Sequence, residues 1–210
     1  MKIDTILFDL DGTLWEVLDR SYESLKEFTT EYNLKEISRD TISKNMGMTM
    51  EECAQNYFPD IDKEKAKEYL NKAVALNIKR LQEYGGNIYE GLEETLKKLK
   101  RNYKLGIVSN CDDGYIEAFL TTSQLGRYFD DYLAAAKLQI SKSDAIKEII
   151  KRNNIKKAIY VGDTIKDKEA SKEAKLEFIH AKYGFDKKLK HKYQIEKISE
   201  LPNLLKTIDK

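Results

Sequence analysis

Four short runs of branched and aromatic apolar residues limit what this chain can fold into. They are "TILF" (Thr5 to Phe8), "YKLGIVS" (Tyr103 to Ser109), "AIYVGD" (Ala158 to Asp163) and "LEFIHA" (Leu176 to Ala181). Each is a near-continuous apolar stretch without apolar/polar alternation, so the strand it forms must be covered on both faces. Helical periods separate them. "YEGLEETLKKLK" repeats apolar residues at Leu92, Leu96 and Leu99, and "KSDAIKEIIKRN" at Ala145, Ile146, Ile149 and Ile150. Strands alternating with helices predict an α/β, Rossmann-like doubly wound parallel sheet.

Residues 15–85 break that rhythm, reading almost wholly as helix with no clear strand. A chain of 210 residues has room for one core and a small second unit. The expected division is a core of residues 1–14 and 86–210, interrupted by a helical insert of residues 15–85. The clearest helix of the insert follows Asp62 as N-cap, carries Ala66, Leu70, Ala73, Val74, Ile78 and Leu81 on one face, and stops at "YGG".

Charge narrows the function classes. Lys plus Arg (37) nearly cancels Asp plus Glu (36), so no global field draws the chain to a nucleic-acid polymer or an anionic membrane. No stretch approaches the ~20 apolar residues of a membrane span, and the N-terminal run is too short and acidic for a signal peptide. A cytoplasmic protein is expected. Cys53 and Cys111 match neither a disulfide framework nor a metal spacing.

In an open α/β sheet, ligands bind beyond the carboxyl ends of the strands. The first run delivers Asp9 and Asp11 there, the second Ser109 and Asn110, and the third Gly162, Asp163 and Thr164, with Asp167 one turn later. Asp9 and Asp11 are two apart and point the same way in an extended segment, and Gly12 then lets the chain turn. Adjacent carboxylates repel, so keeping both ionised near neutral pH calls for a cation or a partner base. Three hard oxygen donors beside open space suit Mg²⁺. An EF-hand fails on spacing, because Gly12 is fourth from Asp9 and not sixth. His180 and His191 lie in no zinc-ligand motif.

These residues resemble the haloacid dehalogenase-like hydrolase superfamily. "DLDGT" (Asp9 to Thr13) matches its Asp-x-Asp-Gly-Thr motif, "GIVSN" its strand-end serine at Ser109, and "VGDTIKD" its Gly-Asp pair and later Asp at Asp163 and Asp167. "QISKSDAIKEII" puts Lys142 before a helix, where the family carries a lysine, often followed by proline. This chain lacks that proline, which bears on loop rigidity, and Lys137 is the competing lysine. "KNMGMTMEE" (Lys44 to Glu52) and "AKYGF" resemble segments of phosphoglycolate phosphatase-like members.

The resemblance implies a Mg²⁺-dependent phosphatase acting on a small phosphorylated metabolite, as a monomer or homodimer. Asp9 would be the nucleophile and Asp11 the general acid and base. Asp9, Asp163 and the Asp11 main-chain carbonyl would ligate the metal, with Asp167 behind them. Ser109, Asn110 and Lys142 would bind the phosphoryl group, and the helical insert would be a C1 cap. Thr13 would steady the turn through its hydroxyl. A 5′-nucleotidase, an inorganic pyrophosphatase, a β-phosphoglucomutase-like mutase and a catalytically silent phosphate-binding protein share the same motifs. Trp15 and Cys111 are candidates for the pocket wall. Met46, Met48 and Met50 are expected to fill packing gaps, and Arg39 and Lys44 to be solvated charges.

Overall fold

In the computed structural model, which describes residues 2–209, all four apolar runs become strands of one sheet. In chain order the elements begin with β1 (Thr5–Phe8), β2 (Trp15–Glu16) and four helices, α1 (Leu18–Glu31), α2 (Arg39–Asn45), α3 (Met50–Tyr57) and α4 (Lys63–Tyr84). Then follow β3 (Asn87–Ile88), α5 (Leu92–Leu99), β4 (Lys104–Ser109), α6 (Tyr115–Thr122), β5 (Asp131–Ala134) and α7 (Ala135–Leu138). The chain closes with α8 (Lys142–Arg152), β6 (Ala158–Gly162), α9 (Ile165–Glu173), β7 (Glu177–Ala181), β8 (Gln194–Ile195) and α10 (Leu201–Ile208).

The sheet runs β5-β4-β1-β6-β7-β8, and every neighbouring pair is parallel. β1 lies centrally, with Leu7 opposite Gly106 on one side and Tyr160 on the other. Its alternate residues feed two separate cores. Ile6 and Phe8 pack with Leu96, Phe119 and Leu205 from α5, α6 and α10, while Leu7 packs with Val108, Tyr160, Ile146 and Ile149 on the α8 side. That double coverage is why these strands carry apolar runs and no alternation. Burying a Leu or Phe on either face contributes roughly 1.5–3 kcal/mol.

Between β2 and β3 the four helices build a third apolar cluster from Leu25, Phe28, Ile42, Phe58 and Leu70. α4 starts where expected: the Asp62 carboxylate accepts from the amides of Glu64 and Lys65, and the helix ends at Gly85 with φ 68°. Its face divides between two cores, with Ala66, Leu70 and Ala73 in the helical cluster and Leu81 in the sheet cluster.

The expectation of no strand in the insert needs correction. β2 pairs antiparallel with β3, so the two crossings between sheet and helices lie side by side as a ribbon. Two residues per strand are too few to display a period. β8 also has two residues, while β5 escapes a sequence reading for another reason: "DYLA" mixes polar and apolar residues at the sheet edge.

Candidate active site

The carboxyl ends of β1, β4 and β6 open toward the helical unit, and the polar residues named from the sequence lie there. Asp9 follows β1 and is 3% exposed. Lys142 is the first residue of α8, whose N-cap Ser141 accepts from the Asp144 amide. That places its side chain across the top of the sheet, with Nζ 2.7 Å from Asp9 Oδ1 and 2.6 Å from Asp167 Oδ1. Asp167 is fixed by a capping box, its Oδ2 accepting from the Thr164 amide and hydroxyl at 3.0 and 2.6 Å.

Asp163 is fully buried. Its Oδ2 accepts from the Phe185 amide at 2.6 Å, while its Oδ1 has no hydrogen-bond partner among the described residues. Oxygens of Asp9, Asp163 and Asp167 lie within 4.8 Å of one another. With all three ionised, three carboxylates near one ammonium would leave two negative charges uncompensated in a buried space. Burial first, and then the neighbouring carboxylates, push the Asp9 carboxyl up to about 7 despite Lys142. Asp163 is driven well above the carboxylate range for the same reasons, burial foremost. Burial also opposes the Lys142 ammonium, but Asp167 and Asp9 hold it protonated, with its affinity for the proton well above that of a free lysine.

These residues fit a divalent cation. The charge deficit, the hard oxygens and the orphaned Oδ1 of Asp163 are what such an ion would satisfy. Asp167 has both oxygens engaged by Lys142 and Thr164, so it offers the ion charge more than an open ligand position.

Asp11 sits apart from this cluster. Its Oδ1 accepts from Trp15 Nε1 at 2.7 Å and from the Tyr115 hydroxyl at 3.0 Å. Burial raises its carboxyl to about 6, and those two hydrogen bonds oppose the rise. Ser109 is buried beside it, and Asn110 donates from Nδ2 to the Gly47 carbonyl in the helical unit at 2.9 Å. Asp11, Ser109, Asn110 and Cys111 line one cavity together with residues of α1 to α4.

Gly12 lets the chain turn directly after Asp11. It takes φ +77°, and a Cβ there would lie 2.2 Å from Asp163 Oδ2 and 2.7 Å from the Phe185 ring. Gly12→Ala is expected to cost ~2 kcal/mol or more, combining left-handed strain with overpacking. Urea unfolding measures this, and an unchanged midpoint would contradict the close approach.

Sequence reasoning missed Tyr115 and Phe185. Tyr115 lies in a helix first turn without a motif, and Phe185 acts through its amide, which any residue but proline supplies. The Thr13 expectation is corrected: its hydroxyl has no partner among the described residues, and the turn is held instead by its amide donating to the Leu10 carbonyl. Lys137 is exposed and paired with Asp113, Lys44 with Asp40, and Arg39 with Asp19. Met46, Met48 and Met50 all line the cavity. Cys111 does too, and burial pushes its thiol up, away from a reactive thiolate. No helix is long and apolar enough to cross a membrane among the described residues.

Comparison with known proteins places the chain as a whole. The chain is 30% identical over 131 residues to the pyrophosphatase PpaX of Bacillus mycoides, across 62% of this chain and 59% of that protein. Among solved structures, a predicted phosphoglycolate phosphatase from Haemophilus somnus superposes with a TM-score of 0.86 at 19% identity, covering 97% of this chain and 98% of that one. A predicted phosphatase from Clostridium acetobutylicum gives 0.80 at 23% identity, covering 99% of each. At such identities the likeness is one of fold. The model of haloacid dehalogenase-like hydrolases matches residues 6–181, most of the chain, and the protein belongs to that family.

Proposed function

We propose that this chain is a Mg²⁺-dependent phosphomonoesterase that works on a small phosphorylated molecule through an aspartyl-phosphate. The observation that carries the reading is that Asp9, bound to Lys142, and Asp11, in the cavity lining with its carboxyl raised to about 6, both follow β1 two residues apart.

The Asp9 carboxylate attacks phosphorus, and the bond from phosphorus to the leaving oxygen breaks. Asp11, protonated, gives its proton to that oxygen. In the second half Asp11, now a carboxylate, takes a proton from the water that attacks phosphorus, and Asp9 is released. A carboxyl near 6 serves both halves, because each protonation state is populated close to neutral pH. The Tyr115 and Trp15 donors hold Asp11 in place without titrating: burial drives the Tyr115 phenol well above its ordinary value. Lys142 and Ser109 bind the transferring oxygens, Lys142 also screening Asp9. Asp9 and Asp163 would hold Mg²⁺, which supplies neutralisation of phosphoryl charge when bound. The four-helix unit acts as a cap that excludes water from the cavity.

The direct test is release of phosphate from a chromogenic aryl phosphate with Mg²⁺ and with chelator. Absence of release at high enzyme concentration would favour a phosphate-binding protein on the same fold. Mg²⁺ is also expected to raise Tm by ~5–10 °C at 100-fold excess over Kd. Asp9 rises from an ordinary 3.8 to about 7, so the metal-free folded state binds more protons than the unfolded chain across that window. Stability without metal therefore falls as pH rises from about 4 to about 7, and the gain from Mg²⁺ should be larger at pH 8 than at pH 5. A Tm gain independent of pH would contradict metal binding at these carboxylates.

A further inference from the structure

The cavity that begins at Asp11 has a composition that bears on the leaving group. It measures about 120 Å³ and reaches from Ser109 and Asn110 into the helical unit, where Leu25, Ile42, Leu70, Val74, Met48 and Met50 form its wall. Among the described residues, its lining includes two carboxylates, Asp11 and Asp112, and no lysine, arginine or histidine. Its remaining polar side chains are neutral, and several are already engaged: Asn45 donates to the Thr41 carbonyl, Asn77 to the Ser21 hydroxyl, and Asn110 to the Gly47 carbonyl. Burial pushes the Cys53 thiol up to about 12 and lifts the Tyr57 phenol, so neither is ionised near neutral pH.

Two lysines of an adjoining cleft are committed elsewhere. Lys44 pairs with Asp40 at 2.6 Å and Lys166 with Glu52 at 2.9 Å. Both line a different cleft of about 270 Å³, and Met46 and Met48 line the two spaces in common. A carboxylate or second phosphate on the leaving group would enter a largely apolar space that already holds two carboxylates, where neutral hydroxyls such as Tyr57 and Ser109 could replace part of its hydration but no lining cation offsets its charge.

We infer that the leaving group seated beside Asp11 is a compact, uncharged and largely apolar alcohol or phenol, an assignment that rests on the phosphomonoesterase reading. Its size follows from the cavity, which is close to the ~150 Å³ of an apolar cavity that accepts benzene. Selectivity would then act by charge exclusion more than by a specific polar contact.

The test compares phosphoglycolate with its primary amide, two monoesters of one shape that differ in charge, alongside phenyl phosphate and inorganic pyrophosphate, at saturating Mg²⁺. The amide and phenyl phosphate are expected to exceed phosphoglycolate and pyrophosphate at least tenfold in kcat/KM. Titration of the Asp9→Asn protein with phosphoglycolate and its amide should show the same order in Kd, without turnover. Met48→Lys or Val74→Lys, each placing an ammonium in the wall, should narrow or reverse the ratio. Equal or better use of phosphoglycolate or pyrophosphate by the native chain would overturn the inference and move the leaving group toward the Lys44 and Lys166 cleft. Ratios unmoved in both folded lysine variants would remove the cavity from the leaving-group path. No phosphate from any of the four would instead defeat the phosphomonoesterase reading, and this inference with it.

Discussion

Asp9→Asn should lower phosphate release ~10⁴-fold or more, the scale on which removing a covalent nucleophile acts, while leaving the chain folded. An amide has nearly the shape of the carboxylate but cannot form the acyl-phosphate bond. The stability result is as informative as the rate. Three carboxylates surround one ammonium in this site, and burial already raises Asp9 to about 7. Removing one of those charges relieves repulsion, so Tm without metal should stay level or rise. Its response to Mg²⁺ should shrink. Near-normal turnover would sink the nucleophile assignment, and a large fall in Tm would mean that Asp9 is chiefly a structural partner of Lys142.

Lys142→Ala should be the most destabilising single change at the site, by ~3–5 kcal/mol. Its side chain is 4% exposed and answers two carboxylates at once, so its loss leaves both buried without a counter-charge. That is a large part of the ~5–15 kcal/mol that holds a domain folded. If Lys142→Ala does not fold, the pair Lys142→Met with Asp167→Asn separates causes, because it removes a positive and a negative charge together. That double variant should recover much of the stability and none of the activity. Lys137→Ala sets the comparison: its partner Asp113 is 61% exposed, and the change should cost less than ~1 kcal/mol. A crippled Lys137→Ala beside a normal Lys142→Ala would reverse the assignment of the phosphoryl-binding lysine.

The difference between those lysines shows what was legible in the chain. Lys142 could be chosen because it opens a helical period, and a helix start beside a parallel sheet points its first residue over the strand ends. Asp9, Ser109 and Asp163 were legible because each terminates an apolar run, which fixes its height in the sheet. Features depending on two distant segments were not. Phe185 meets Asp163 through a backbone amide, and Tyr115 meets Asp11 from 104 residues away. The β2–β3 ribbon joins segments about 70 residues apart with two residues each, too little for any periodic signal. Cavity chemistry was also hidden, since helical spacing gives the face of Leu70 and Ala73 but not which part of it is left uncovered above Asp11.

Trp15 carries a practical consequence. It is the only tryptophan in the chain, it is fully buried, and its indole N–H donates to the Asp11 carboxylate. Tyr115 and Phe119 pack edge-on against the same ring. The tryptophan fluorescence of this protein therefore originates within hydrogen-bonding distance of Asp11, where a change of charge alters the field across the indole. A ligand bound beside Asp11 is therefore expected to change this emission in the native chain, without a label and without a chromogenic substrate.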